Sequence, residues 1–338
     1  MTGASPVVIS MGDPAGIGPE IILKAWSQRR SGAFAFACVG AAEVLRASAR
    51  QLDLPPPVEI NSLAEANSAF GTGLPVLAAP LRLEVPAIAG RPAARNAAGV
   101  KACIEAAVEL CLSGEASALV TAPIAKSVMY EAGFGFPGHT EFLADLTRGH
   151  PVTGVRGPAM MLAGGGLRVV LTSIHESLAR AVAGLSAARI EHIARLTHQA
   201  LRQDFGIAQP RLALAGLNPH AGEGGSLGRE EIEIINPAAS RLRAEGIAIT
   251  DALPPDTMFH PEARSGYDAA ICLYHDQGLI PVKTLDFHGG VNITLGLPIV
   301  RTSPDHGTAF DIAGQGLARA DSLLAALDAA AEIAGHRA

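Results

Sequence analysis

Three histidines that lie far apart in the chain each follow an apolar run of the kind that forms a buried strand. His175 occurs in TSIHESL, His220 in GLNPHAGEGG and His275 in LYHDQGLIPVK. The preceding strands are predicted at 167–173, 211–217 and 268–274. Residues at the carboxyl ends of α/β strands converge on one crevice, and neutral imidazoles bind divalent cations. The pattern predicts a three-histidine metal site with open positions for substrate oxygens, although any one of these histidines, taken alone, is more often a loop or capping residue.

A second place suits an anionic ligand. His139 and Thr140 lie in GFPGHTEFLA, directly before a helical pattern whose free backbone N–H groups would meet a phosphate or carboxylate. The alternative for Thr140 is a simple helix cap.

Two cations interrupt apolar stretches near the C-terminal end of the chain. Lys283 and Arg301, with Asn292 between them, lie in VKTLDFHGGVNITLGLPIVRTS. Unpaired charge is costly in such surroundings, so an anionic ligand would explain both cations. An internal salt bridge to Asp256 or Asp276 would explain them as well.

A glycine-rich turn, ISMGDPAGIGPEI, joins the first predicted strand to a helical pattern. Its glycines do not follow GxGxxG, and no clear acidic residue ends a second strand about twenty residues later, so it is not the dinucleotide fingerprint. The turn either holds an anion on its free N–H groups or is a plain tight turn. Its glycines let the backbone pass close to a cofactor or substrate cleft. Asp13 and Glu20 are expected to cap the helix rather than to bind ligand.

Composition restricts the class of protein. The chain has 338 residues, 49% of them apolar, which suits one large α/β unit or two lobes. A net charge of −6 provides no basic field for nucleic acid. The four cysteines lie in apolar runs without CxxC spacing, which indicates buried thiols in a reducing compartment. The N-terminal residues resemble a strand rather than a signal peptide, and no apolar run could span a membrane, so a cytoplasmic enzyme is expected.

Short apolar runs alternate with helical patterns, which predicts a mostly parallel α/β sheet. Besides the three strands above, the runs lie at 6–11, 35–40, 117–122 and 159–164. The helical patterns lie at 99–114, 186–206, 228–246 and 320–333. If there are two lobes, we expect the chain to cross between them near 125–140 and 300–308, where glycine and proline cluster.

Two loops resemble those of the β-decarboxylating dehydrogenases that act on isopropylmalate and isocitrate. The opening turn is similar to their GDGIGPE-like turn, and SPDHGTAFDIAGQG is similar to their HGSAPDIAG-like loop, which holds the adenosine end of NAD. Phe310 stands where that family often has proline. The resemblance implies cofactor contacts at Gly12, Asp13, His306, Gly307, Thr308 and Asp311.

Five motifs in order resemble the 4-hydroxythreonine-4-phosphate dehydrogenase (PdxA) family of vitamin B6 biosynthesis, nearly from end to end. They are GDPAGIGPE, PGHTEFLA, LNPHAGEGG, YHDQGLIPVK and GVNITLGLPIVRTSPDHGTA. The resemblance implies a homodimer of isopropylmalate-dehydrogenase-like α/β chains, each with two α/β/α lobes and an active-site cleft between them. The implied lobes are 1–135 with 305–338, and 136–304, the second carrying the metal and substrate residues and the dimer interface.

The resemblance also implies the chemistry. It makes His175, His220 and His275 ligands of one Zn, Mg, Co or Mn ion, in a site to which both subunits contribute. It implies NAD- or NADP-dependent oxidation of 4-phosphooxy-L-threonine, followed by decarboxylation to 3-amino-2-oxopropyl phosphate. The implied substrate-binding residues are His139, Thr140, Lys283, Asn292 and Arg301. Asp256, Asp276 and Lys126 adjoin motif loops and are the candidates for the general base.

Two departures from the family pattern leave the substrate open. Ala125 in TAPIAK stands where relatives often have a polar residue, and TSIHESL stands where they commonly have TTHLPL. The alternatives are a catabolic dehydrogenase for 4-phosphothreonate or 4-phosphoerythronate, or for a carboxylated cis-dihydrodiol from terephthalate. An acyltransferase-like protein or a non-catalytic metabolite binder on the same fold is the alternative from another class.

Overall fold

The computed structural model describes residues 5–30, 34–78 and 83–338. Its strands are β1 (Val7–Ser10), β2 (Phe36–Val39), β3 (Val58–Ile60), β4 (Pro75–Leu77), β5 (Ala118–Thr121), β6 (Ala159–Gly164), β7 (Leu167–Leu171), β8 (Arg211–Ala215), β9 (Ala248–Leu253), β10 (Ala269–Cys272), β11 (Val291–Leu295) and β12 (Arg301–Pro304). Its α-helices are α1 (Gly18–Arg29), α2 (Ala42–Gln51), α3 (Ala66–Ala69), α4 (Ala97–Leu112), α5 (Lys126–Glu131), α6 (His139–Leu146), α7 (Leu178–Ala183), α8 (Ala187–Gln203), α9 (Asn236–Ala244), α10 (Pro261–Arg264), α11 (His275–Leu285) and α12 (Asp321–Arg337).

The chain divides into two compact α/β units. Unit 1 comprises Met1–His150 and Pro298–Ala334, and unit 2 comprises Pro151–Leu297 and Gly335–Ala338. Residues 136–150 lie in unit 1, on the other side of the boundary predicted at 135, because α6 contacts α4. Residues 298–304 also lie there, because β12 pairs with β5. Residues 335–338 lie in unit 2, where Arg337 forms an ion pair with Asp204.

Unit 1 is built on a parallel sheet with the strand order β3-β4-β2-β1-β5-β12. Every residue of β1, β2 and β5 is buried, as expected for parallel strands covered on both faces. Helix α4 packs against these three strands.

Unit 2 is built on a mixed sheet with the order β11-β6-β7-β10-β8-β9. The pairs β11/β6 and β6/β7 are antiparallel, whereas β7, β10, β8 and β9 are parallel neighbours. Gly165 and Gly166, with φ of 57° and 75°, form the two-residue turn between β6 and β7, a geometry that glycine adopts without steric cost.

The seven strands predicted from apolar runs all form, and the helix predicted over 228–246 differs most from expectation. Its first part, Glu231–Ile235, is a single wide π-type turn, and the α-helix begins only at Asn236, with Pro237 in its first turn. Such turns are often found at functional sites.

Cys38, Cys103 and Cys272 are buried free thiols, as predicted, and burial raises the pKa of each. Cys111 is a free thiol that is only partly buried, because it lies near the end of α4. Among the described helices, none has both the length and the apolar character needed to cross a membrane.

Candidate functional site

Unit 2 carries the three predicted metal ligands at one edge of its sheet. β10 lies between β7 and β8, and all three strands run parallel. His175 follows β7, His275 begins the helix after β10, and His220 follows β8. The carboxyl ends of adjacent parallel strands therefore present all three histidines, which is where ligands bind in α/β sheets.

Two of these imidazoles face a cavity of about 440 Å³. The ring centroids of His175 and His275 are 6.5 Å apart, with the ring planes at 40°. Nδ1 of His275 lies 2.7 Å from Oδ1 of Asp276, an arrangement that leaves Nε2 of His275 available to a cation. The cavity is lined by Ser173, Ile174, His175, Glu176, Ser177, Leu178, Ala181, Tyr274, His275 and Asp276.

A second carboxylate, Glu176, adds negative charge to this cavity. The hydroxyl of Ser173 donates to it at 2.5 Å and Arg189 donates at 3.3 Å. These contacts, that of Ser173 foremost, hold the pKa of Glu176 below its usual value, so it is ionised at neutral pH. Two carboxylates beside two imidazoles suit a cation.

His220 lies in a backbone segment of unusual conformation. His220, Ala221 and Glu223 have φ of 53°, 51° and 43°, the left-handed region that residues with a side chain rarely adopt. Strained backbone of this kind persists where the surroundings fix it, and it clusters at functional sites. Within the described residues of one chain, no group of three histidine, cysteine or acidic side chains forms a complete metal site. His175 and His275, the carboxylate that orients His275 and the adjoining cavity nevertheless fit part of the donor set of a divalent ion.

Unit 1 contains a cluster of polar groups around the start of α6. The guanidinium of Arg301 is buried and donates to the hydroxyl of Thr121 at 2.5 Å. Burial, then the charges of Arg301 and Lys126, holds the pKa of His139 well below its usual value, so this imidazole is neutral. Its Nε2 atom is buried without a hydrogen-bond partner among the described residues, as is Oε2 of Glu141. Buried polar atoms of this kind are normally satisfied, so a ligand is the natural partner for His139.

Thr140 is not the helix cap. Gly138 occupies the N-cap position of α6 without a side-chain cap, and Thr140 is the second residue of the helix and is buried. A side-chain carbon at Gly138 would lie 3.5 Å from Nζ of Lys126, so this ammonium lies beside the helix start. The N-terminus of α6 therefore combines free N–H groups with nearby cations, which suits an anion.

The glycine-rich turn packs against the protein itself. Gly12 has φ of 76°, and a side-chain carbon there would lie 2.5 Å from the carbonyl oxygen of Pro123. A side-chain carbon at Gly16 would lie 3.0 Å from the carbonyl oxygen of Thr308, which also accepts from the N–H of Ile17 at 2.9 Å. The glycines thus bring the opening turn and the predicted cofactor loop together.

Neither Asp13 nor Glu20 caps α1, contrary to expectation. The N-cap is Ile17, without a side-chain bond. Asp13 accepts from the N–H of Ala15 at 2.9 Å and closes its own turn, and burial raises its pKa. Glu20 is buried and accepts from the N–H of Ala318 at 2.9 Å. Lys24 donates to Glu20 at 2.8 Å and to the carbonyl oxygens of Gly316 and Ala318, so this i, i+4 pair binds the segment that follows the predicted cofactor loop.

The remaining predicted site residues differ in their burial and in the contacts that they make. Nε2 of His306 and Oδ1 of Asn292 are buried without a hydrogen-bond partner in the described part of the chain, which leaves both available to ligands. Gly307 and Asp311 are exposed in the loop. Asp256 is exposed and forms no hydrogen bond or ion pair with any described residue, so the salt bridge proposed for it is absent. Nζ of Lys283 lies 5.4 Å from the ring centroid of Phe287.

Sequence motifs missed several supporting residues. Glu141 directly follows Thr140 in the motif, and Lys24 follows Glu20 at i, i+4 spacing, so both had a local signal. The sequence signal for Ser173 was its position two residues before His175. No sequence signal pointed to Thr121.

Known proteins resemble this chain over nearly its whole length. The model of the family described as "Pyridoxal phosphate biosynthetic protein PdxA" matches residues 33–330. A 4-hydroxythreonine-4-phosphate dehydrogenase of Maricaulis maris is 66% identical over 340 residues and covers 100% of both chains. The crystal structure of the Klebsiella pneumoniae enzyme of that name is 40% identical, with a TM-score of 0.87, covering 98% of this chain and 100% of the other. A terephthalate 1,2-cis-dihydrodiol dehydrogenase of Burkholderia xenovorans is 32% identical, with a TM-score of 0.64, covering 95% and 96%.

Proposed function

The chain belongs to the PdxA family of pyridoxal phosphate biosynthetic proteins, and on that premise we propose that it is an oxidoreductase acting on 4-phosphooxy-L-threonine. The reaction oxidises the alcohol β to the carboxylate and yields 3-amino-2-oxopropyl phosphate after loss of CO2. The observation that carries the proposal is the placement of His175, His220 and His275 after three adjacent parallel strands, with His175 and His275 lining a cavity that also contains two carboxylates.

The three histidines would hold a divalent ion, either Zn, Mg, Co or Mn. Such an ion, when bound, lowers the pKa of an alcohol and stabilises negative charge on the oxygen of a ketone or enolate. Asp276 fixes the orientation of His275 through their 2.7 Å contact, which leaves Nε2 facing away from the carboxylate.

Each unit carries side chains that could bind the phosphate or the carboxylate of the substrate. In unit 1, the neutral His139 can donate or accept through Nε2, while Arg301, Lys126 and the N-terminus of α6 supply positive charge. In unit 2, Lys283 supplies a cation and Asn292 an unpaired amide oxygen. These groups would bind and orient the phosphate and carboxylate.

The bond changes follow from the substrate. The hydroxyl proton passes to a base, and the hydride on the same carbon passes to the nicotinamide ring of NAD or NADP. The bond to the carboxylate then breaks, CO2 leaves, and the carbon that carried it takes up a proton. Asp276 is the favoured base, since it borders the cavity, with Asp256 and Lys126 as the other candidates.

The cofactor would lie along the opening turn and the loop around His306. Gly12, Asp13, Gly307, Thr308 and Asp311 are its proposed contacts, and the packing of Gly16 on Thr308 holds the two segments together. We further propose a cytoplasmic homodimer whose partner subunit completes the metal site. Exposed apolar residues on the two helices that border the cavity, Leu178 of α7 and Ile280 of α11, support this.

The test is NADH formation, followed at 340 nm with purified protein and a divalent metal. We expect turnover of 4-phosphooxy-L-threonine with NAD or NADP, loss of activity with a chelator, and recovery when metal is restored. Turnover of 4-phosphothreonate, 4-phosphoerythronate or the carboxylated dihydrodiol, without turnover of 4-phosphooxy-L-threonine, would instead establish the catabolic alternative. No reduction of either nucleotide with any of these substrates would contradict a dehydrogenase.

A further inference from the structure

The carboxylate of Glu231 lies inside the loop that carries His220. Glu231 is only 2% exposed, and it forms no ion pair with any described residue. A buried charge without a counter-ion is costly, so it is retained only where several donors stabilise it. Here the donors come from the segment just before His220.

Three hydrogen bonds join this carboxylate to the segment that follows β8. Its Oε1 accepts from the backbone N–H groups of Leu217 and Asn218, both at 2.8 Å, and its Oε2 accepts from Nδ2 of Asn218 at 2.9 Å. Bonds to a charged acceptor are about twice as strong as neutral ones. The same Nδ2 atom also donates to Glu230 at 2.7 Å, so Asn218 is held from both sides.

The loop closes tightly around this contact. A side-chain carbon at Gly222 would lie 2.7 Å from Oε2 of Glu231, and one at Gly228 would lie 2.3 Å from Nδ2 of Asn218. Both glycines have positive φ, at 81° and 146°. The chain therefore leaves β8, makes its left-handed turn and returns against the Glu231 carboxylate.

We propose that Glu231 is the positioning residue that holds His220 at the metal site. Left-handed backbone is unfavourable for each residue with a side chain, because the Cβ atom approaches the following carbonyl oxygen. His220, Ala221 and Glu223 all adopt it, so the turn needs an external restraint. The bonds from Leu217 and Asn218 to Glu231 supply that restraint three residues or fewer before His220. This inference rests on the proposed function only in taking His220 as a metal ligand.

Binding of Co²⁺ to the full-length protein, followed by calorimetry and by the visible spectrum of the bound ion, tests this role without substrate. We expect Glu231→Ala to weaken Co²⁺ binding at least tenfold and to change the spectrum. Glu231→Gln keeps the two backbone bonds at Oε1 but turns an NH2 group towards Nδ2 of Asn218, so we expect a smaller loss. Glu233→Gln is the matched control, because Glu233 lies two residues away, is exposed and forms an ion pair with Arg229 on the protein surface. It should bind within twofold of the wild type.

The outcomes separate this inference from the proposed function. His220→Ala with unchanged Co²⁺ binding would overturn the metal site itself. If His220→Ala binds Co²⁺ more weakly, the metal site stands. If folded Glu231→Ala then binds Co²⁺ with the affinity and spectrum of the wild type, only the role of Glu231 is overturned. If Glu231→Ala fails to fold, Glu231→Gln decides, since wild-type affinity and spectrum in that variant would overturn the role. Faster hydrogen exchange at the amides of residues 217–226 in Glu231→Gln would support it.

Discussion

At the scale of single residues, the pair formed by His275 and Asp276 shows how a carboxylate prepares an imidazole to bind a cation. The carboxylate accepts from Nδ1 and so fixes both the tautomer and the ring orientation. We expect Asp276→Asn to lower the affinity for Zn²⁺ or Co²⁺ by about 10- to 100-fold, measured by calorimetry. The matched control is Glu262→Gln, because Glu262 makes the same 2.7 Å contact with His260 outside the site. Equal metal affinities in the two variants would contradict the assignment.

His139 gives a prediction about pH. Burial, and then the charges of Arg301 and Lys126, lower the pKa of His139 in the folded protein below its ordinary value of 6.5. Below about pH 6.5, His139 therefore binds a proton more readily in the unfolded chain than in the folded protein. Stability should therefore fall as the pH drops below about 6.5, with a slope of at most about 1.4 kcal/mol per pH unit from this one group. His139→Asn should reduce this loss, measured by urea unfolding at pH 7 and pH 5. Replacement of the exposed His288 serves as the control. An unchanged pH dependence in His139→Asn would be inconsistent with a depressed pKa.

At the scale of secondary-structure elements, α1 fixes the segment after the proposed cofactor loop through Glu20 and Lys24. Lys24→Met removes the bonds to the carbonyl oxygens of Gly316 and Ala318. We expect the free energy of local opening at residues 316–318 to fall by about 1–3 kcal/mol, measured by amide hydrogen exchange. NAD binding should weaken as well.

The control for Lys24 is Lys101→Met on α4. Lys101 forms an i, i+4 pair with Glu105 at 2.6 Å, and it donates to no carbonyl of the loop. Unchanged exchange at residues 316–318 in Lys24→Met would rule out the restraint.

The elements also show how far the sequence can be interpreted. Apolar runs such as those of β2 and β10 were predictable because each is continuous and bounded by turn residues. β3 and β4 have only three residues each, too few for a pattern to signal a strand. The sequence VNITL of β11 alternates apolar and polar residues, a strand signal that a search for continuous apolar runs misses. The placement of β10 between β7 and β8 depends on long-range pairing, which no local pattern encodes. For the same reason the metal-site residues were predictable by type, whereas the contact of Glu231 with Leu217 and Asn218 was not.

At the scale of the whole molecule, we expect a dimer that shares its metal sites. Ile280 is 63% exposed on α11, the helix that begins with His275. Ile280→Glu should shift the protein towards a monomer of 34.6 kDa in sedimentation velocity experiments, because it places charge in an apolar contact. The same variant should lose metal affinity. Ile88→Glu, at a 54% exposed position of unit 1, is the control and should remain dimeric. A wild-type monomer that binds metal fully would contradict the shared site.

The proposed function depends on the binding of one cation by His175, His220 and His275. Anomalous diffraction at the zinc absorption edge, from crystals of the full-length protein grown with Zn²⁺, locates that cation. We expect one strong peak per site, within about 2.0–2.1 Å of a ring nitrogen from each of the three histidines, with both subunits contributing ligands. A peak bound to other residues, or no peak near these imidazoles in a protein that is active, would contradict it.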